Sequence, residues 1–246
     1  MIEVDLGDGV RAVFTRRAPG ASAGPWLGAN LGAHVGDDLD HVADNRAALE
    51  ARLGVPVVYG RQVHGVRVRR VEDPGSVERR TRSDLDLAEG VDALVTTRPG
   101  LGLGVLVADC VPVLLADAEA GIVACAHAGR VGLLEGVLEA VVAEMVTAGA
   151  VADRIRAALG PAAGPCCYEV PEAMQSAALA DLPELSGRTR AGTPSLDLRA
   201  GATARLARLG VAATSVGGCT IEDEDSFSYR RATVTGRFAG VVAVTR

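Results

Sequence analysis

The chain has 246 residues, of which 48% are hydrophobic, so it is long enough to bury a substantial core. Its formal net charge is −6 and all 25 basic residues are arginine, which excludes lysine Schiff-base chemistry, a P-loop lysine and a Ser-Lys pair. The arginines are scattered, so nucleic acid is not an expected partner. No linker, internal repeat or low-complexity tract divides the sequence, and we expect one domain spanning residues 1–246.

Apolar, β-branched runs predict the strands, and capping residues together with apolar periodicity predict the helices. Strands are predicted, in chain order, at residues 11–15, 57–59, 66–71, 92–96, 103–108, 111–117, 122–126, 154–159 and 240–244. Helices are predicted from an Asp40 cap to about Gly54, over residues 133–148, from Pro171 onward and over residues 197–209, and loops at residues 19–25 and 72–86. The strands cluster instead of alternating regularly with helices, which favours an α+β fold with layered sheets over a Rossmann sheet.

The N-terminus lacks the basic and apolar segments of a signal peptide, and no apolar stretch is long enough to span a membrane. We therefore expect a cytoplasmic protein without a membrane partner. The five cysteines are an odd number and include the adjacent pair Cys166 and Cys167, which does not suggest a disulfide framework. We interpret them as reduced thiols, and the adjacent pair as a packing feature of the Gly/Pro loop at residues 160–170.

The turn residues 117–121 lie between two predicted strands and indicate a β-hairpin. If Ala118 and Glu119 form its loop, Cys110 lies opposite His127 at the open end. Directly opposed residues have Cβ atoms roughly 4.5–5.5 Å apart, which is close enough for a thiolate and an imidazole to share one ion. His64 would complete a His/Cys/His group from a separate segment, in a chain with only four histidines.

Two imidazoles and one thiolate favour a borderline cation such as zinc, and three protein ligands leave one tetrahedral position open, as in catalytic sites. The residues alone leave another interpretation equally open. Cys110 can be a small buried residue at a strand end, and His64 and His127 can be hydrogen-bonded loop residues.

Two further segments have the chemistry of an anion site. Residues 127–132 run from a strand into a helix predicted near Leu133, where glycines, free N–H groups and the helix dipole favour a phosphate. Residues 226–231 combine hydroxyl and guanidinium groups, which suits a phosphorylated ligand. The alternatives are an ordinary strand-to-helix turn and a solvated strand edge.

Motifs along the whole chain resemble, in order, those of the YfiH-like, laccase-domain (polyphenol oxidase) family. They are QVHG (62–65), residues 92–117, HAG (127–129), GPAAGPCCYEV (160–170), CT (219–220), FSYRR (227–231) and TGR (235–237), with ANLGAHVGDD and NR (45–46) near the N-terminus. The resemblance implies a four-layer α/β/β/α fold with mixed sheets, distantly similar to the catalytic fold of cytotoxic necrotizing factor toxins. It also implies a zinc ion bound by His64, Cys110 and His127, the residues expected to carry catalysis.

The resemblance further implies a purine nucleoside phosphorylase that uses phosphate and accepts adenosine, inosine, guanosine and methylthioadenosine, with adenosine deaminase activity. Some family members are assigned polyphenol oxidase activity or peptidoglycan editing. Multicopper oxidases bind several copper ions through many imidazoles, so four histidines exclude a multicopper laccase. Copper can still compete with zinc for the His/Cys/His group in vitro.

The family pattern HAGWRG is HAGRVG in this chain, with Arg130 at the tryptophan position and Val131 at the arginine position. The arginines predicted to bind phosphate are Arg61, Arg130 and Arg230. The candidates for a general acid are Glu169 and Asp109, although Asp109 neighbours Cys110 along the chain, where alternate residues of a strand face opposite sides.

Two other functions stay open from the sequence. In the first, Cys110 is a nucleophile with His127 as its base, giving a hydrolase that edits peptidoglycan precursors. In the second, the chain binds a metal or a nucleotide without turnover.

Overall fold

Two six-stranded mixed sheets pack face to face in the computed structural model, which describes residues 1–72 and 87–245. Residues 73–86, which contain most of the predicted loop at 72–86, lie outside the described residues. The strands are β1 (Ile2–Val4), β2 (Val10–Phe14), β3 (Val57–Arg61), β4 (Val68–Arg70), β5 (Leu87–Gly90), β6 (Ala93–Thr96), β7 (Gly102–Val107), β8 (Val111–Asp117), β9 (Ile122–Ala128), β10 (Arg156–Leu159), β11 (Ser186–Arg188), β12 (Pro194–Leu196), β13 (Ala212–Ser215) and β14 (Phe238–Val244). The helices are α1 (Leu39–Leu53), α2 (Arg130–Glu135), α3 (Val137–Thr147), α4 (Glu172–Asp181) and α5 (Leu198–Arg208).

The first sheet has the strand order β1-β2-β14-β7-β3-β5 and the second has the order β13-β10-β8-β9-β6-β4, while β11 and β12 form a separate hairpin. Three apolar clusters separate the layers. Leu49 and Leu53 of α1 pack on the outer face of the first sheet, and Leu133 and Leu138 contribute to a cluster on the outer face of the second. The cluster between the sheets includes Phe14 and other buried residues of both. The predicted α/β/β/α arrangement is therefore confirmed, and the single domain over residues 1–246 stays a prediction.

The central strands match the sequence prediction within a few residues, because their side chains are buried on both faces and read as continuous apolar runs. The helix predicted over residues 133–148 is wrong in two respects: it begins at Arg130, and it is two helices, broken at Gly136, which has a φ of 98°. The cap of α1 is Asp38 and not Asp40, since the Asp38 side chain accepts a hydrogen bond from the Asp40 backbone N–H. Within residues 1–72 and 87–245, no helix is long and apolar enough to cross a membrane.

The hairpin register differs from the prediction. In the β8–β9 pair, Asp117 faces Ile122 and Pro112 faces His127, so the loop has four residues and Cys110 is not opposite His127. The cause is the turn itself. The Asp117 carboxylate accepts a hydrogen bond from the Ala120 backbone N–H at 3.1 Å, and Gly121 adopts a φ of 65°.

Asp117 also ties this hairpin to the chain that leads into β10. Its Oδ2 accepts hydrogen bonds from the Val151 backbone N–H at 2.9 Å and from Arg154 Nε and Nη2 at 3.1 and 2.9 Å. Burial alone would raise the pKa of Asp117, but the hydrogen bonds from Arg154, Val151 and Ala120 outweigh it and hold that pKa below its ordinary value.

We expect the substitution Asp117→Asn to lower the free energy of unfolding by about 2 kcal/mol at pH 7, because it removes a buried charge that Arg154 and two backbone N–H groups contact. The contribution of the carboxylate is present above its ordinary pKa and is lost as the pH falls through the lowered one. The difference between the two proteins should therefore shrink on acidification. Urea denaturation at a series of pH values measures it.

Glu119→Gln is the matched control, since Glu119 contacts the same Arg154 at 3.3 Å with a side chain that is 74% exposed. Exposed pairs contribute roughly 0.2–1 kcal/mol, so this variant should stay close to wild type. Equal losses in the two variants would contradict the role assigned to Asp117.

Candidate metal centre

His64, Cys110 and His127 meet at one end of the two sheets. His64 lies in the loop after β3, Cys110 in the turn between β7 and β8, and His127 near the end of β9. Their ligand atoms all lie within 4.8 Å of one another, and Cys110 Sγ is 3.8 Å from His64 Nε2. The two imidazole rings are in edge contact, with centroids 4.6 Å apart. The structure thus brings together the three residues that the sequence singles out.

The backbone is strained at two positions beside this group. His64 has a φ of 62° and Asp109 a φ of 102°, in the left-handed region that residues with a side chain rarely adopt. Such conformations cost about 1–3 kcal/mol each and persist only where surrounding contacts impose them. In the His64 loop the contacts come from Asp92, whose carboxylate accepts hydrogen bonds from the backbone N–H groups of Val63, His64 and Gly65 at 2.8–3.2 Å.

Asp92 also orients His127. Its Oδ1 accepts a hydrogen bond from His127 Nδ1 at 2.9 Å, and both side chains are buried. This bond places the proton on Nδ1 and leaves Nε2 available to a metal ion, the arrangement that carboxylate partners impose on zinc-binding histidines. Burial would raise the pKa of Asp92, but the bonds from His127 and the loop lower it overall. The sequence analysis did not identify Asp92 as a site residue, although an acid at the start of a buried strand was a usable signal.

Cys110 and His127 shift each other's pKa in opposite directions, which favours the thiolate form of Cys110. Burial raises the pKa of the Cys110 thiol, but the neighbouring His127 and His64 outweigh it and bring the pKa to about 6. Burial lowers the pKa of His127, while the Cys110 thiolate and Asp92 raise it to about 9. The thiolate is both the metal-binding and the nucleophilic form of cysteine.

Gly129 leaves open the space that the three side chains surround. A Cβ atom at this position would lie 2.9 Å from His64 Cδ2, 3.0 Å from Cys110 Sγ and 3.7 Å from His127 Nε2. Gly132 permits a close backbone contact, because a Cβ there would lie 2.8 Å from the Gly65 carbonyl oxygen. It allows α2, which begins at Arg130 and not near Leu133 as predicted, to pack against the His64 loop.

The three residues open into a cavity of about 310 Å³. Its wall is formed by side chains from the segment before α1, the loop after β3, β7 and the turn that follows it, the loop after β10 and the segment before β14: His34, Gln62, Leu106, Val107, Ala108, Asp109, Tyr168, Tyr229, Arg230 and Arg237. Of the arginines predicted to bind phosphate, Arg230 lines the cavity, whereas Arg61 and Arg130 are not among its lining residues.

Arg230 and Asp109 contact each other across the cavity wall. Asp109 Oδ2 accepts a hydrogen bond from the Arg230 backbone N–H at 2.7 Å, and Oδ1 accepts one from Thr220 Oγ1 at 2.6 Å. The Arg230 guanidinium lies 4.5 Å from the centroid of the Tyr168 ring and donates to the Glu169 carbonyl oxygen. Asp109 therefore faces the cavity, whereas the side chain of Glu169 is exposed and is not among the lining residues.

Arg237 and Gln62 are cavity residues that the sequence analysis did not single out as site residues. The Gln62 side chain accepts a hydrogen bond from the Leu106 backbone N–H at 2.8 Å and donates one to the Leu106 carbonyl oxygen at 2.7 Å. These two bonds fix its amide group against β7. Arg237 donates to the Thr235 and Gly236 carbonyl oxygens at 3.1 and 2.9 Å. Burial lowers the pKa of Arg237, with Cys110 and Asp109 acting in the opposite direction. Arg237 therefore places a poorly solvated positive charge in the cavity wall.

Comparison with known proteins identifies the family of this chain. A family model described as multi-copper polyphenol oxidoreductase laccase matches residues 11–245. A purine nucleoside phosphorylase of Corynebacterium glutamicum is 48% identical over 95% of this chain and 94% of its own length, and an adenosine deaminase from an unknown prokaryotic organism is 40% identical over 85% of this chain and 82% of its own.

Solved structures with the same fold include a Neisseria meningitidis protein of the DUF152 family. It covers 100% of this chain and 99% of its own, with a TM-score of 0.86 and 32% identity. The Bacillus licheniformis protein YfiH covers 96% of this chain and 92% of its own, with a TM-score of 0.85 and 30% identity. The chain belongs to the laccase-like YfiH/DUF152 family, in which its relatives are named as purine nucleoside phosphorylases and an adenosine deaminase.

Proposed function

We propose that this protein is a zinc-dependent, cytoplasmic purine nucleoside phosphorylase that accepts adenosine, inosine, guanosine and methylthioadenosine and also deaminates adenosine. The observation that carries the proposal is the His64, Cys110 and His127 group at the base of a cavity whose wall presents two arginines. The names of the relatives support both reactions.

The residues fit a zinc ion. One thiolate and two imidazole nitrogens surround the space that Gly129 leaves open, and the hydrogen bond from His127 Nδ1 to Asp92 leaves Nε2 as the nitrogen that faces the ion. Zinc held by these three ligands would supply a Lewis acid with one open position. Zinc fits better than the copper of the family description, since the four histidines of the chain are too few for a multicopper cluster, although a single copper ion can compete at these ligands.

Phosphorolysis requires the chain to hold phosphate in line with the ribose C1′ atom. A bond forms between a phosphate oxygen and C1′, the glycosidic bond breaks, and the base leaves with the bonding electrons and takes up a proton. Arg230 and Arg237 neutralise the phosphate charge in the proposed complex, and the ring of Tyr168 gives an apolar surface for the purine. Arg61 and Arg130 remain candidates on sequence grounds alone, and Asp109 is the predicted acid that lines the cavity.

A second candidate function is favoured by one observation. In this function Cys110 would be the nucleophile, His127 its base and Asp92 the acid that orients His127. This is the arrangement of a cysteine hydrolase acting on an amide of a peptidoglycan precursor. Cys110 and His127 would serve in either function, and zinc on Cys110 would exclude the hydrolase. A domain that binds metal or nucleotide without turnover is the third possibility.

We expect Gly129→Ala to displace zinc from this centre without unfolding the protein. Its φ of −73° and ψ of 166° are accessible to alanine, so the only conflict is the new Cβ against His64 and Cys110. Elemental analysis should show the loss of one zinc equivalent per chain, as in Cys110→Ala, with an unchanged circular dichroism spectrum. Gly218→Ala is the control, because its Cβ meets nothing within 4 Å. Full zinc content in both Gly129→Ala and Cys110→Ala would refute the ligand assignment.

We expect the protein to cleave adenosine or inosine in phosphate, giving free base and ribose 1-phosphate. Arg237→Gln should raise the KM for phosphate by roughly 10–100-fold, the equivalent of about 1.5–3 kcal/mol for a charge-assisted hydrogen bond, and leave adenosine deamination intact. Arg156→Gln, which alters an exposed arginine of β10 outside the cavity lining, is the matched control.

These assays also separate the candidate functions. Deamination without phosphorolysis would show that the anion site is misassigned and the metal centre is correct. Hydrolysis of a cell-wall peptide precursor that depends on Cys110 and persists after zinc removal would establish the hydrolase instead. Zinc binding without any turnover would leave only the binding domain.

A further inference from the structure

A second group of side chains that could bind a metal ion lies outside the centre described above. Cys166 and Cys167, in the loop after β10, meet Cys219 and Glu222, in the loop after β13. We refer to these four residues as the Cys166 cluster. Their ligand atoms all lie within 4.8 Å of one another. Cys166 Sγ is 3.3 Å from Cys167 Sγ and 3.6 Å from Glu222 Oε2.

Backbone contacts hold the two loops in this arrangement. Ala162 forms a parallel bridge to Cys219, and the Thr220 N–H donates to the Ala162 carbonyl oxygen at 3.0 Å. The Gly164 N–H donates to Cys219 Sγ at 3.2 Å, and a Cβ on Gly164 would lie 3.3 Å from Cys166 Sγ and 3.6 Å from Cys219 Sγ. The thiols are thus gathered around a turn that a glycine keeps open.

The interpretation of Cys166 and Cys167 as a packing feature does not account for these contacts. None of the three thiols of the cluster belongs to an apolar cluster of the described residues, and all three are partly exposed. Cys125 shows what a packing cysteine looks like in this fold. It is buried between the sheets, where burial raises the pKa of its thiol to about 12.

Three thiolates and one carboxylate around a single point form a closed tetrahedral donor set, and thiolate-rich sets select zinc among the common divalent cations. We propose that Cys166, Cys167, Cys219 and Glu222 bind a second zinc ion, in a structural site separate from the His64, Cys110 and His127 centre. Binding replaces the three thiol protons, which pass to solvent, so the affinity rises with pH. The proposal does not depend on the reaction assigned to the first centre.

Arg190 contributes to the charge balance of this site. Its Nε and Nη2 donate to Glu222 Oε1 and Oε2 at 2.7 and 3.0 Å, and its backbone N–H donates to the Cys166 carbonyl oxygen. A carboxylate has lone pairs enough to accept from a guanidinium and to ligate a metal ion together. The guanidinium offsets part of the excess negative charge that three thiolates and a carboxylate bring to a divalent ion.

The Cys166 cluster lies next to two residues that contact the cavity wall, so an ion bound there would affect the cavity. Tyr168 and Thr220 directly follow Cys167 and Cys219, and both contact the cavity wall: the Tyr168 ring packs on Arg230, and Thr220 Oγ1 donates to Asp109. An ion that ties the two loops together therefore fixes this wall. Loss of the ion should weaken substrate binding and leave the first zinc in place.

The test is zinc stoichiometry in protein purified under reducing conditions without chelator. We expect two zinc ions per chain in wild type, one in Cys110→Ala, one in Cys166→Ser/Cys219→Ser and two in the control Cys125→Ala. Replacement of zinc by cobalt gives an independent readout, because sulfur-to-cobalt charge-transfer absorbance grows with the number of thiolates. The cobalt band that remains in Cys110→Ala should be stronger than the band in Cys166→Ser/Cys219→Ser.

One zinc ion in wild type and none in Cys110→Ala, with the thiols of the Cys166 cluster open to alkylation, would overturn the proposal. A disulfide within the cluster, seen by mass spectrometry of the freshly purified reduced protein, would overturn it as well. If the double variant does not fold, the cobalt spectrum of Cys110→Ala decides alone, since three thiolates give a strong band and an unoccupied cluster gives none.

Discussion

The buried carboxylate of Asp92 is the contact on which the centre depends. A carboxylate removed from water costs several kcal/mol unless donors replace the lost solvent, and here they are His127 Nδ1 and the backbone N–H groups of Val63, His64 and Gly65. These donors come from both sheets, so one side chain joins the His64 loop after β3 to the end of β9. It imposes the left-handed backbone of His64 and selects the tautomer of His127 at the same time.

The sequence indicates the three residues of the centre but not Asp92, which holds two of them in place. The central strands are buried on both faces, and continuous apolar runs such as residues 111–117 identify them. The predicted hairpin indicates that Cys110 and His127 are neighbours, although its four-residue loop places Pro112, and not Cys110, opposite His127. The strands β1, β11, β12 and β13 have three or four residues each, so their pattern is too short to detect.

Contacts between residues far apart in sequence were beyond prediction from spacing. Asp92 lies 35 positions from His127, and Arg237 reaches the cavity from the segment before β14. The Cys166 cluster shows the same limit: two adjacent cysteines form no zinc motif, and only the parallel bridge between Ala162 and Cys219 brings the third thiol to them. Pairing of strands, and not local sequence, decides which side chains meet.

The family model is described as a laccase, and the relatives are named as phosphorylases and a deaminase, so the chemistry of the centre has to be argued from its residues. His64, Cys110 and His127 provide a zinc ligand set, whereas Cys110, His127 and Asp92 provide a nucleophile, its base and the acid that orients the base. The difference is the state of one proton. With a metal ion, Nε2 of His127 must be free of its proton and the thiolate is a ligand. Without a metal ion, the opposed shifts of their pKa values to about 6 and about 9 favour a Cys110 thiolate beside a protonated His127, the pair that a cysteine nucleophile requires. Under the proposed function, metal occupancy therefore decides between zinc chemistry and a cysteine nucleophile at this centre.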